Sequence, residues 1–144
     1  MRIRALLMVL AIGTAGAAAL SAQRSSASKP EAVDRGRYLV DDVVQCFQCH
    51  TPRTETGDYD RSRWLMGGPV FYRPSVPTAE WATVAPRIAG RPPGTDKDFI
   101  KLMTTGIART GAPPHPPMLR LHMTREDAEA VLAYLKSLAP SDRF

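Results

Sequence analysis

The sequence predicts an all-α fold of three to five helices separated by long Pro- and Gly-rich loops, on three observations. Apolar residues recur at helical spacing near residues 31–45, 96–105 and 124–138. No run alternates apolar and polar residues as a half-buried strand does. The stretches between the periodic segments carry most of the prolines and glycines, which stop regular structure.

At the amino terminus, Arg2 and Arg4 precede an uncharged Ala- and Leu-rich run from Ala5 to Leu20, and small residues follow at Ser21 and Ala22. A basic start, a short apolar run and a small-residue exit predict a signal peptide over residues 1–22. The rival expectation is an uncleaved membrane anchor. The run is short for a bilayer, which needs ~20 residues, and Gly13 and Gly16 dilute it. No cysteine stands near it, which excludes a lipid-modified cysteine at the cleavage point. Residues 23–29 read as a linker and 30–144 as one domain. Pro30 suits the first turn of a helix, where its missing N–H is not needed. Val33, Tyr38, Leu39 and Val43 then space a helix over Glu31–Gln45.

Thr51 to Gly94 is predicted to be loop, yet it contains Trp64, Leu65, Phe71, Tyr72, Trp81 and Ile88. A loop this long in a compact domain is usually functional or wraps something, and a flat apolar cofactor suits these side chains. Thr95 or Asp96 caps a short helix through Phe99, Ile100, Leu102 and Met103, which Gly106 ends. A second loop, Ile107–His122, holds Pro113, Pro114, Pro116 and Pro117. Thr124 is the expected N-cap of the last helix, with Glu126 and Asp127 at its positive end. Ala128, Val131, Leu132, Leu135 and Leu138 form its apolar face, and Pro140 stops it.

The chain has 144 residues and a formal charge of +5. Loss of residues 1–22 removes two arginines and leaves +3 on about 120 residues, enough for a modest core. The charges are interspersed, so no nucleic-acid tail is expected. A mildly basic face would help dock an acidic redox partner. Export leads to an oxidising compartment, where paired cysteines usually form disulfides. Cys46 and Cys49, however, would close only a very small ring, and small rings stabilise little.

Cys46-Phe47-Gln48-Cys49-His50 is C-x-x-C-H, the attachment pattern of c-type haem. Two thiols three positions apart reach the two vinyl-derived carbons of one porphyrin, and the next imidazole falls beneath the iron. A redox dithiol expects a βαβ context that does not precede Cys46. A zinc site expects a second Cys/His pair, whereas His115 and His122 lie far downstream and seven positions apart. For a second axial ligand the chain offers Met66, Met103, Met118 and Met123, with His115 and His122 as rivals. Met103 sits on an apolar helix face, where it reads as core filler. Met118 is favoured, because the prolines around it reduce the entropy lost on ordering its loop.

With these residues in place the sequence resembles the class I cytochrome c family. Arg35-Gly36-Arg37-Tyr38-Leu39-Val40, Cys46 to His50, Pro116-Pro117-Met118, Thr124 to Asp127, and Ala133 to Leu138 carry the likeness, which spans roughly residues 30 to 139. It is nearest to the cytochrome domains that accompany bacterial periplasmic dehydrogenases. The resemblance implies a class I cytochrome c fold in which Gly36 of the first helix meets Tyr134 of the last. It implies one covalent haem c on Cys46 and Cys49, with His50 and Met118 on the iron. Leu119 departs from the family pattern, since many relatives have a proline there. Trp64, Tyr72, Trp81, Arg63, Arg73 and Arg87 are expected either at the haem or as ordinary core aromatics and surface arginines. The expected role is that of a periplasmic electron carrier and not an enzyme. Its partners would be redox proteins such as a dehydrogenase, an oxidase or another cytochrome, with membrane association only through the amino-terminal segment. The alternatives are a five-coordinate haem enzyme or gas sensor, and a haem-bearing subunit of a larger complex.

Overall fold

The computed structural model describes residues 28–138. The export segment, its anchor alternative, most of the linker and Pro140 lie outside them. Helix α1, Lys29–Arg37, starts two residues earlier than the spacing predicts. Pro30 stands in its first turn, with Glu31 at the positive end of the dipole and Arg35 and Arg37 at the negative end.

The chain does not stay α-helical to Gln45. From Tyr38 to Val43 it widens into a π-helical turn. Val44 N–H donates to the Leu39 carbonyl at 2.9 Å, and Cys46 N–H to Val40 at 3.0 Å. One added residue per turn places consecutive Leu39 and Val40 both in the core. Gln45, expected as the last helical residue, instead takes φ 57° and ends the helix. A left-handed non-glycine residue costs about 1–2 kcal/mol, and it stands here directly before Cys46.

Helix α2 is the four-residue turn Phe47–His50. Helix α3, Asp96–Thr105, is capped by Thr95. The Thr95 hydroxyl accepts from Asp98 N–H while the Asp98 carboxylate accepts from Thr95 N–H, and Gly106 closes the helix at φ 67°. Helix α4, Arg125–Ser137, has Thr124 as its N-cap, accepting from Asp127 N–H at 3.1 Å. Both caps stand where the sequence places them.

Helix α1 packs across α4, and Gly36 makes the crossing close. A Cβ there would lie 2.0 Å from the Ala130 carbonyl oxygen and 2.8 Å from Tyr134 Cβ. The expected meeting of Gly36 with Tyr134 therefore occurs, but the nearer surface is the backbone of Ala130. The Arg35 guanidinium pairs with Asp127 at 2.9 Å, and the Tyr134 hydroxyl donates to Asp41 Oδ2 at 2.8 Å. Helix α3 joins α4 through Phe99 and Met103 in the shared core, and through Lys136 on Asp96 at the surface.

The 51–94 segment contains a small sheet that the sequence does not announce. Strands β1, Gly68–Pro69, and β2, Val84–Ala85, pair antiparallel, with Gly68 opposite Ala85 and Pro69 opposite Val84. Val70 N–H extends the ladder to the Thr83 carbonyl at 2.9 Å. Two-residue strands are too short to show alternation. The same segment delivers Leu65 to the centre of the core, where it is fully buried. Among the described residues no helix is long and apolar enough to cross a membrane.

Candidate cofactor site

Helix α2 presents Cys46, Cys49 and His50 from one turn. His50 N–H and Cys49 N–H both bond to the Cys46 carbonyl, at 3.0 and 3.3 Å. Residues three and four apart share a helix face, so both thiols and the imidazole emerge on one side. The two cysteines are not joined by a disulfide. Burial pushes the Cys46 thiol up to about 12 and raises Cys49 as well, with Arg53 opposing the second shift. Neither is the low-pKa thiol that a redox dithiol requires. Among the described residues no group of three or more His, Cys, Asp or Glu side chains stands together to hold a metal ion.

His50 is 8% exposed, and its Nδ1–H donates to the Pro86 carbonyl at 2.8 Å. A carbonyl can only accept, so the proton is on Nδ1 and the Nε2 lone pair is left for a metal. Burial lowers the His50 pKa while the Pro86 contact opposes the shift, and the ring stays neutral as a ligand must. Gly67 brings this carbonyl into place. Its N–H donates to the His50 carbonyl at 2.7 Å. Its φ is +77°, and a Cβ would stand 2.6–2.7 Å from backbone atoms of Arg87, Ala85 and Pro86. Neither Gly67 nor Pro86 was legible as a site residue, because both act through backbone groups.

Met118 is half-buried and packs against the same apolar cluster that Cys46 and Phe47 flank. Its N–H donates to the His115 carbonyl at 3.1 Å, which folds the proline-rich loop into a turn. Met66 and Met123 also border the cluster, and Met103 is 5% exposed within it as the core filler its spacing suggests. His115 and His122 are exposed, and His115 Nδ1–H is engaged by the Glu80 carbonyl at 2.9 Å.

The aromatics sort unevenly. Trp64 stacks on Phe47, with centroids 4.9 Å apart, and the Arg61 guanidinium lies over its outer face at 4.3 Å. Tyr59 meets Phe47 edge-on and carries Arg53 on its face at 3.6 Å. The Tyr72 hydroxyl donates to Gln48 inside the motif, and Trp81 Nε1–H donates to the Tyr72 carbonyl. Arg63 pairs with Asp60, whereas Arg73 and Arg87 are exposed.

Two thiols and a buried, oriented imidazole on one helical turn, in an all-α frame, define a protein built to hold a covalent haem. The family model described as cytochrome c matches residues 33–139, and the chain belongs to the cytochrome c family. Membership implies haem c attached covalently and haem-based electron transfer. A diheme cytochrome c-type protein of Cereibacter sphaeroides is 58% identical over 36 residues, covering 25% of this chain and 12% of that protein. A fructose dehydrogenase cytochrome subunit of Gluconobacter japonicus is 29% identical over 115 residues, covering 73% of this chain and 22% of that subunit. The chain thus spans a small part of the length of either relative.

The residues fit the implied group. Cys46 and Cys49 supply the thiols, His50 has its second nitrogen available, and Met66, Met118 and Met123 are thioethers beside the same apolar cluster.

Proposed function

We propose that this protein is an exported one-electron carrier with a single haem on Cys46 and Cys49 and with His50 and Met118 as axial ligands. The observation that carries the reading is the His50 ring, buried, protonated on Nδ1 and fixed by Pro86 beside two uncrosslinked thiols. When bound, the haem iron supplies reversible one-electron chemistry. The chain's part is to hold that group still. The Pro86 carbonyl fixes the His50 tautomer and ring plane. The Met118 loop, turned by its bond to His115, offers a neutral sulfur, and Phe47, Trp64 and Leu65 exclude water from the motif side. Two protein ligands would leave no position for substrate, which separates a carrier from a five-coordinate enzyme or sensor.

Optical spectra in both oxidation states test this. A Soret band should survive denaturing electrophoresis in the wild type and vanish with Cys46→Ser/Cys49→Ser. Met118→Ala should abolish the weak near-infrared sulfur-to-iron band and let the reduced protein bind carbon monoxide; an unchanged band would reassign the ligand to Met66 or Met123. Export through residues 1–22 predicts a mature mass starting near Gln23, and an intact Met1 would favour the anchor.

A second reading is supported by the likeness to a dehydrogenase cytochrome subunit. On it the same domain works as the haem-bearing part of a larger oxidoreductase, and it would co-purify with a catalytic subunit.

A further inference from the structure

We propose that Thr51 is a positioning residue for the His50 ligand, acting on it through the backbone of Leu65; this rests on the electron-carrier reading above. Thr51 follows His50 directly and is 2% exposed. Valine has the same outline and would fill the core as well, so packing alone does not account for a hydroxyl here. The hydroxyl has a use: Oγ1 accepts from Leu65 N–H at 3.0 Å.

Leu65 is a strained node. It is fully buried and takes φ 58°, a left-handed conformation that L side chains avoid. Leucine has no polar side-chain group to favour that conformation locally, as Asn or Asp would, so the surroundings impose it. Thr51 holds the Leu65 N–H, and the Leu65 carbonyl accepts from Ile88 N–H and Ala89 N–H, each at 3.0 Å. Strain held from several sides in this way recurs at ligand clamps.

The bonds close a ring around the imidazole. Two residues after Leu65, Gly67 N–H donates to the His50 carbonyl at 2.7 Å. Two residues before Ile88, the Pro86 carbonyl accepts from His50 Nδ1–H at 2.8 Å. Thr51 completes the circuit through its peptide bond to His50. Apart from the imidazole, every other group in it is backbone, so the Thr51 hydroxyl is the side chain that sets where Leu65 stands relative to the ligand. Without it the Leu65 N–H is orphaned in the core. The left-handed turn then loses one of its holds and relaxes, and residues 86–89 move with it. A looser Pro86 contact makes the imidazole a weaker donor to iron, and second-shell bonding of this kind tunes a haem potential.

The test uses the haem-loaded protein and three variants. Thr51→Val removes the acceptor and keeps the outline, Thr51→Ser keeps the acceptor, and Thr51→Ala removes both. In the reduced protein, exchange of the His50 Nδ1 proton with D2O, followed by NMR, should quicken roughly five- to tenfold in Thr51→Val, the range of one lost hydrogen bond. Its midpoint potential should move upward in spectroelectrochemistry. Thr51→Ser should keep the wild-type exchange rate and potential although it loses a buried methyl group and some stability. A merely structural Thr51 would instead lower the urea midpoint in both variants and leave exchange and potential of the folded protein unchanged in both. Should Thr51→Val fail to accumulate with haem, Thr51→Ala and Thr51→Ser differ by the hydroxyl alone and give the same comparison. Equal exchange rates and potentials in proteins with and without the hydroxyl would overturn the proposal. So would a Thr51→Ser protein that shifts as far as Thr51→Val. A wild type with no covalent haem, or with no reversible one-electron couple, would sink the carrier reading itself, a result distinct from a silent Thr51.

Discussion

The His50 ring is held by a carbonyl 36 residues away in sequence, and Gly67 is what lets that carbonyl come so close. Alanine at 67 would have to adopt φ +77° and force apart backbone atoms now 2.6–2.7 Å from its Cβ position. Overpacking of this kind costs roughly 2 kcal/mol or more. Gly67→Ala is therefore expected to lower the urea midpoint and, by drawing Pro86 off Nδ1, to shift the midpoint potential of the holoprotein; chemical denaturation and spectroelectrochemistry read the two effects. A stable variant with an unchanged potential would separate Gly67 from the ligand. At this scale the sequence was legible where chemistry depends on residue type. The C-x-x-C-H spacing of Cys46, Cys49 and His50 stands in the sequence itself. Pro86 and Gly67 carry no such mark, because a backbone acceptor and a missing Cβ acquire meaning only when distant segments meet.

Helices were legible to the extent that their ends are local. Thr95 and Thr124 carry caps that depend on a side chain three residues from its partner, and both formed as expected. The π-helical turn was not legible, because across six residues an apolar pattern does not separate 3.6 residues per turn from a wider turn. Its reason is tertiary: it buries Leu39 and Val40 together and brings Asp41 to the Tyr134 hydroxyl. Burial and the Asp41 contact raise the Tyr134 pKa, so the phenol stays protonated as the donor. The helix crossing is equally tight. Gly36→Ala places a methyl group 2.0 Å from the Ala130 carbonyl oxygen, and the helices must separate. A loss of about 3 kcal/mol is expected, with a matching drop in thermal midpoint; a variant as stable as the wild type would show that α1 can slide on α4.

Across the whole molecule, acid stability follows from carboxylates held below their ordinary range. Hydrogen bonds from the Ser62 and Arg63 side chains lower Asp60 to about 2, and bonds from Thr95 lower Asp98. A carboxylate with a depressed folded-state pKa binds its proton first in the unfolded chain. The stabilisation it provides is present above the unfolded value near 3.8 and is lost as pH falls toward 2. Asp60→Asn should lower the urea midpoint at pH 7, converge with the wild type near pH 2 and so flatten the decline between about pH 4 and pH 2; an identical acid limb would exclude Asp60 from that transition. The long 51–94 segment was legible as largely irregular, but its hairpin and anchor points were not, since they are fixed by partners at Gln48, Pro116 and His115.

That segment leaves the helical frame at Thr51 and rejoins it where Gly90 N–H donates to the Leu135 carbonyl of α4 at 2.7 Å. Its tip, residues 73–80, adds no residue to the buried core. Evolution can therefore lengthen, recharge or replace the tip without rebuilding the helices or the ligand turn. The outermost loop and the thiol-bearing turn are thus free to diverge independently within one helical frame.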